Sequence, residues 1–151
     1  MSLEARISQD LKAAMLAGQQ QRVLTLRGIK STVLYSKVAN KNNRDEALPD
    51  SEVLALLARE SKKRQESADL YVQGGSQDKA DAELAEKAII DDYLPAQLSE
   101  ADIEELIEKV VNSMDATTTA QMGQVIGAVK QQAGAAADGA VIARLVKERL
   151  G

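Results

Sequence analysis

The sequence predicts an all-α protein, an N-terminal four-helix domain followed by a smaller three-helix tail. Three observations predict it. Ala, Leu, Glu, Lys and Gln abound, while only two prolines, Pro49 and Pro95, interrupt 151 residues. Apolar residues recur at intervals of three and four, as one face of a helix requires. No period-two alternation is long enough for a strand.

Taken in order, Leu3, Ile7, Leu11, Met15 and Leu16 line one face of a first helix, which Gly18 ends. A second helix runs from about Gln20 to Ala39 and closes in the polar run Asn40 to Asn43. Its small residues Thr25, Gly28, Thr32, Ser36 and Ala39 form a face expected to pack tightly. Leu48-Pro49-Asp50-Ser51 starts a third helix with Asp50 as its N-cap. That helix reaches about Val72 and stops at Gly74-Gly75; its Arg59, Lys62, Lys63 and Arg64 are expected to pair locally with Glu60 and Glu66. A fourth helix covers roughly Gln77 to Asp92. Pro95 disfavours helical geometry at Leu94, which puts the domain boundary there: residues 1–93, then residues 94–151. In the tail, Ser99-Glu100-Ala101-Asp102 starts a helix to about Ser113 in the manner of a capping box. Thr118 or Thr119 caps the next and Asp138 the last. A unit of this size buries only about 60% of its unfolded surface, so the tail is expected to lean on the first domain or on a partner.

Composition removes whole classes of chemistry. With no His and no Cys, a Cys/His zinc site, a Cys or His nucleophile, a Ser–His–Asp relay and a disulfide are all excluded. The adjacent acidic pairs Asp91-Asp92 and Glu104-Glu105 point to different sides of a helix, and no EF-hand spacing exists. No metal and no cofactor are expected. No apolar run approaches the roughly 20 residues that span a bilayer, and Met1 to Arg6 holds no apolar signal region. A soluble cytoplasmic protein is the expectation. The net charge of −4 averages two opposed blocks. Residues 11–44 carry seven cations and no acid, whereas residues 78–108 carry eleven carboxylates against two lysines.

Two segments offer a binding surface. On the penultimate helix, Met122, Val125, Ile126 and Val129 form an apolar arc; Gly123 and Gly127 sit beside it, and Lys130 projects from the same edge. Each glycine inside a helix costs about 1 kcal/mol relative to Ala, so something should need bare backbone there. Close helix–helix packing is one reading and an approaching phosphate backbone the other. On the final helix, Val141, Ile142, Leu145, Val146 and Leu150 make the buried side, and Ala140, Arg144 and Lys147 lie opposite. Arg144 and Lys147 either form a solvated face or extend the Lys130 strip. On the second helix, Arg27, Lys30, Lys37, Lys41 and Arg44 project within about 100° of one another, a candidate stripe for phosphates, with Val23, Leu26, Val33 and Leu34 in or beside the same arc. Only Tyr35, Tyr71 and Tyr93 could stack on bases, so any RNA contact should read shape and backbone.

Met122-Gly123-Gln124-Val125-Ile126-Gly127, Lys130, Ala137-Asp138-Gly139 and Leu145-Val146-Lys147 resemble the tail-domain motif shared by YqeY-like proteins and the B subunit of tRNA-dependent amidotransferases. Upstream, Asp10 to Met15, Thr25-Leu26-Arg27 and Tyr93 to Ser99 are similar to the YqeY-like part in the same order. The resemblance covers nearly the whole chain. It implies a four-helix domain with a three-helix tail, and a tail that contacts the body of a tRNA. Gly123, Gly127, Lys130, Arg144 and Lys147 thereby become tRNA-backbone candidates. The function the resemblance implies carries the label of a carbon–nitrogen ligase with glutamine as amido donor. The chain itself has no Cys for glutamine hydrolysis, no amidase Ser-Ser-Lys constellation and no ATP-binding loop. Gln124 stands where the family commonly has Lys, one cation fewer on the strip.

The expectation is therefore a tRNA-interacting accessory module without catalytic residues of its own, linked by resemblance to tRNA-dependent amidotransfer. The alternative is a protein–protein adaptor whose partner helix sits on the Gly123/Gly127 face. No membrane partner is expected.

Overall fold

A computed structural model describes residues 1–40 and 45–151, and its described residues are helical throughout with short connections. The Lys41 and Arg44 end of the proposed stripe lies outside the described residues. Among the described residues there are seven α-helices: α1 (Leu3–Leu16), α2 (Gln20–Ala39), α3 (Asp50–Gln73), α4 (Gln77–Asp91), α5 (Glu100–Met114), α6 (Met122–Ala133) and α7 (Gly139–Leu150), with single 3-10 turns at Thr119–Gln121 and Gly134–Ala136. The chain divides into two compact units, Met1–Leu94 and Pro95–Gly151.

Local chemistry sets most boundaries. The Ser2 hydroxyl accepts from Ala5 N at 3.1 Å and opens α1. Gly18, at φ +68°, closes it: Gln19 N donates to Ala14 O and Gly18 N to Met15 O, the paired bonds of a Schellman motif. Gly75, at φ +78°, closes α3 in the same way, with Ser76 N on Tyr71 O. Ser99 and Asp102 form a reciprocal capping box at α5. Asp138 caps α7 by accepting from Ala140 N at 3.0 Å. Two starts differ from expectation. Asp50 is the first residue of α3 rather than its cap; its carboxylate instead accepts from Leu3 N at 2.9 Å and ties the two helix starts together. Thr118 precedes a 3-10 turn without a side-chain cap, and Gln121 reaches back to accept from Thr117 N at 3.0 Å.

In the first unit, Ile7, Leu11, Leu26, Ile29, Val33, Leu48, Val53, Leu57, Ile90 and Tyr93 form the core. Met15 and Leu16 belong to the exposed surface instead, because Ile7, Leu11 and Ala14 make the buried face of α1 and, at about 100° per residue, Leu16 points away from it and Met15 falls at its margin. Of the small residues on α2, Thr25 is buried but Gly28 and Ala39 face outward, and no described atom lies within 4 Å of a Cβ built on Gly28. That face does not pack tightly. Arg64 bridges across to Glu83 (3.3 Å) and Glu86 (3.1 Å) on α4, while Lys63 pairs locally with Glu60 at 3.4 Å. Part of the acidic block therefore neutralises α3.

In the second unit, Ile103, Ile107, Val110 and Val111 of α5, Val125 and Val129 of α6, and Ile142, Leu145, Val146 and Leu150 of α7 close one core. Each helix turns its apolar stripe inward, as its period requires. The segment entering α5 is held by Leu98 N on Ala136 O at 2.8 Å and by Gln97 Nε2 on Ala135 O at 3.0 Å.

Candidate functional site

The edge of α6 is built by a simple division. Val125 and Val129 are fully buried, and Met122, Ile126 and Ala133 lie half-buried beside them. At about 100° per residue, Gly123, Gly127 and Lys130 then fall on an adjoining arc about 60° wide, and all three are exposed. A Cβ built on Gly123 or Gly127 meets no described atom within 4 Å. Close packing inside the tail thus does not explain either glycine. Both leave helical backbone bare to the outside. Gly123 stands in the first turn of α6, whose N-cap, Gln121, makes no side-chain cap bond; this is the end where the helix's partial positive charge collects.

Lys130 leads across to α7. A Cβ on Gly139 would fall 2.9 Å from Lys130 Cε and 3.2 Å from its Nζ, so the lysine end lies over the bare first residue of α7. Gly139, Ala143 and Lys147 follow at i, i+4 and i+8 on one row, and Lys147 is exposed. Lys147 stands two turns beyond the residue that Lys130 covers and about 80° further round α7. Arg144 is held by carboxylates. Its guanidinium donates to Glu148 at 3.2 Å and to Glu100 of α5, and the bond to Glu148 and the charge of Glu100 hold it more firmly protonated than usual. Arg149 is held likewise by Glu108. Gly139 is the position that reading the helix faces missed; its signal was the Ala137-Asp138-Gly139 motif, and a side chain there would displace the end of Lys130.

The cations of α2 separate. Arg27 and Lys30 are exposed. Lys37, expected on the surface stripe, is only 4% exposed, with Nζ 2.5 Å from Glu4 Oε1. Glu4 Oε2 in turn accepts from Leu48 N at 2.9 Å, so Lys37 belongs to an internal ion pair joining α1, α2 and the loop before α3. The signal for this lay 33 residues away and could not be read locally.

Two upstream motifs meet through a structural bond. Tyr93 donates its hydroxyl to Asp10 Oδ2 at 2.5 Å, across 83 residues, while the Arg6 guanidinium lies 5.0 Å from the ring centroid. Burial first, and then the bond to Asp10, push the phenol well above its ordinary range. Asp91 accepts from Ser61 (2.5 Å) and Lys87 (2.6 Å). These polar groups secure helices to one another. Among the described residues, no group of three or more His, Cys, Asp or Glu side chains is placed to hold a metal ion, and no helix is long and apolar enough to cross a membrane.

Comparison with known proteins agrees with the family that the motifs resemble. The chain is 30% identical over 129 residues to "Altered inheritance of mitochondria protein 41, mitochondrial" of Kluyveromyces lactis, covering 83% of this chain and 68% of that protein. The family described as Yqey-like protein matches residues 4–150. With nearly its whole length so matched, the chain belongs to the YqeY-like family.

Proposed function

We propose that the chain is a tRNA-interacting accessory module, and that the α6–α7 edge receives the sugar–phosphate backbone. The observation that carries this reading is the pair of exposed glycines, Gly123 and Gly127, which no described side chain fills and beside which Lys130 stands. Bare backbone lets a rigid polyanion approach closely, and a lysine ammonium neutralises it. Lys130 and Lys147 supply the charge; Arg144, held by Glu100 and Glu148, contributes less. With aromatics at 2%, recognition rests on the shape and hydroxyls of an A-form helix rather than on stacked bases.

The rival is a partner helix seated on the same glycines. Such a seat needs apolar flanks, yet the exposed neighbours of the glycines are Gln124, Gln131 and Lys130. A hydrated, charged ligand suits them better. The link to amidotransfer, in which glutamine-derived ammonia reaches a misacylated tRNA, rests on the resemblance and assigns this chain a binding role, in the cytoplasm or another translating compartment.

Filter binding of unfractionated tRNA to the purified chain across salt concentrations tests the reading. Affinity should fall steeply with salt, and Lys130→Ala with Lys147→Ala should lower the magnitude of the log–log slope by about one per lysine. Arg144→Ala should change it less. Undetectable binding at low salt, or a slope unmoved by the double substitution, refutes it. Conversion of Glu-tRNA by the chain alone with glutamine should be nil.

A further inference from the structure

The exposed face of α2 carries chemistry that the tail edge does not use. Leu24, Ser31 and Val38 repeat at seven residues, with Arg27, Leu34 and Tyr35 between them, so all six lie on one side of the helix. That side is opposite Leu26, Ile29 and Val33, which enter the core. Leu24 is 65% exposed, Tyr35 78%, and Leu34 and Val38 47% each. A single exposed Leu is unremarkable, but a continuous apolar stripe at helical spacing marks an interaction surface. Met15 extends it, its sulfur 4.0 Å from Arg27 Nη2. A cleft of about 240 Å³ between α1 and α2 adjoins the stripe, lined by Glu4, Ile7, Lys30, Ser31, Val33 and Leu34. Its buried floor residues, Ile7 and Val33, suit one large aliphatic side chain.

Charge decides the occupant. The stretch 11–44 contains no acid, and Arg27 and Lys30 stand exposed on the stripe and at the cleft. Two copies of this face would bring like charges together. A nucleic acid would leave the exposed Leu24, Leu34 and Val38 without apolar contact. We infer that this face docks an amphipathic helix of a protein partner, with aliphatic residues on its contact side and carboxylates along its flanks. One aliphatic anchor enters the cleft, and the flanking acids meet Arg27 and Lys30.

Two synthetic helical peptides of about 18 residues, with identical Leu faces and either Glu or Lys flanks, test this by amide-shift NMR titration of the full chain. The Glu-flanked peptide should shift the amides of residues 24–38 and bind at least about tenfold more tightly than the Lys-flanked one, a gap of the size that charge complementarity supplies. Leu34→Ser with Val38→Ser, both at exposed positions, should weaken it about tenfold with the thermal midpoint retained. Vesicles of phosphatidylserine and phosphatidylcholine, tRNA, and sedimentation of the chain alone form the other arms. No shift at millimolar peptide, equal affinity for the two peptides, or shifts outside this face overturns the inference. So does preferential occupation of the same face by vesicles, by tRNA or by a second copy. Loss of tRNA binding in Lys130→Ala with Lys147→Ala leaves the peptide titration unchanged, so the two readings fail separately.

Discussion

Tyr93 is 6% exposed and hydrogen-bonded to the Asp10 carboxylate, and both features oppose its ionisation. Its pKa is raised from the ordinary 10.0, so above about pH 10 the unfolded chain loses this proton while the native chain keeps it. Stability from this group is full below that pH and declines as pH rises through the native value, by up to about 1.4 kcal/mol per pH unit. Tyr93→Phe should remove that alkaline component and, near neutrality, cost about 1–2 kcal/mol for the lost bond to a charged acceptor; urea melts at several pH values report both. Lys37 and Glu4 predict a larger loss. Replacing Lys37 by Met strands a half-buried carboxylate that still holds Leu48 N, at about 2–4 kcal/mol in denaturant melts. The glycines of α6 run the other way. A Cβ at Gly127 meets nothing, so Gly127→Ala should stabilise the chain by about 0.5–1 kcal/mol. The proposed approach of a phosphate backbone would account for a glycine kept at that cost.

The end of α1 and the starts of α5 and α7 fall where their own residues dictate, because Gly18, Ser99 with Asp102, and Asp138 act within four residues of themselves. Such elements were legible in the sequence. What covers a helix was less so. The period of α2 allowed either of two broad faces to be inward, and only the placement of α1, α3 and α4 decides that Leu26, Ile29 and Val33 are buried while Leu24, Tyr35 and Val38 are not. Lys37 left the cationic stripe for the same reason: its partner, Glu4, is remote in sequence. On α6 the motif named Gly123, Gly127 and Lys130 together, and the fold places them on one exposed edge. Arg144 departed because Glu148, four residues on along α7, and Glu100 of α5 flank it; helical spacing reveals the first of these partners and not the second.

Each of the two units closes its own apolar core, so a small void in one should be felt there first. Ile142→Val, at a fully buried site, should cost about 1 kcal/mol and speed hydrogen exchange across 103–150 while leaving the protected amides of α1 to α4 unchanged. The charge blocks have separate uses. Arg64, Lys87 and their carboxylate partners are spent inside the first unit, whereas Arg27, Lys30, Lys130 and Lys147 stand on its surface and on that of the tail. With no His and no Cys, the sequence supplies neither group as nucleophile or metal ligand. The most direct check is the tRNA affinity of Gly127→Leu beside the native chain at low salt. Binding should weaken about tenfold, the worth of ~1.4 kcal/mol of close backbone contact, with thermal stability undiminished. Equal affinity for the two proteins contradicts the assignment of that edge to the tRNA backbone.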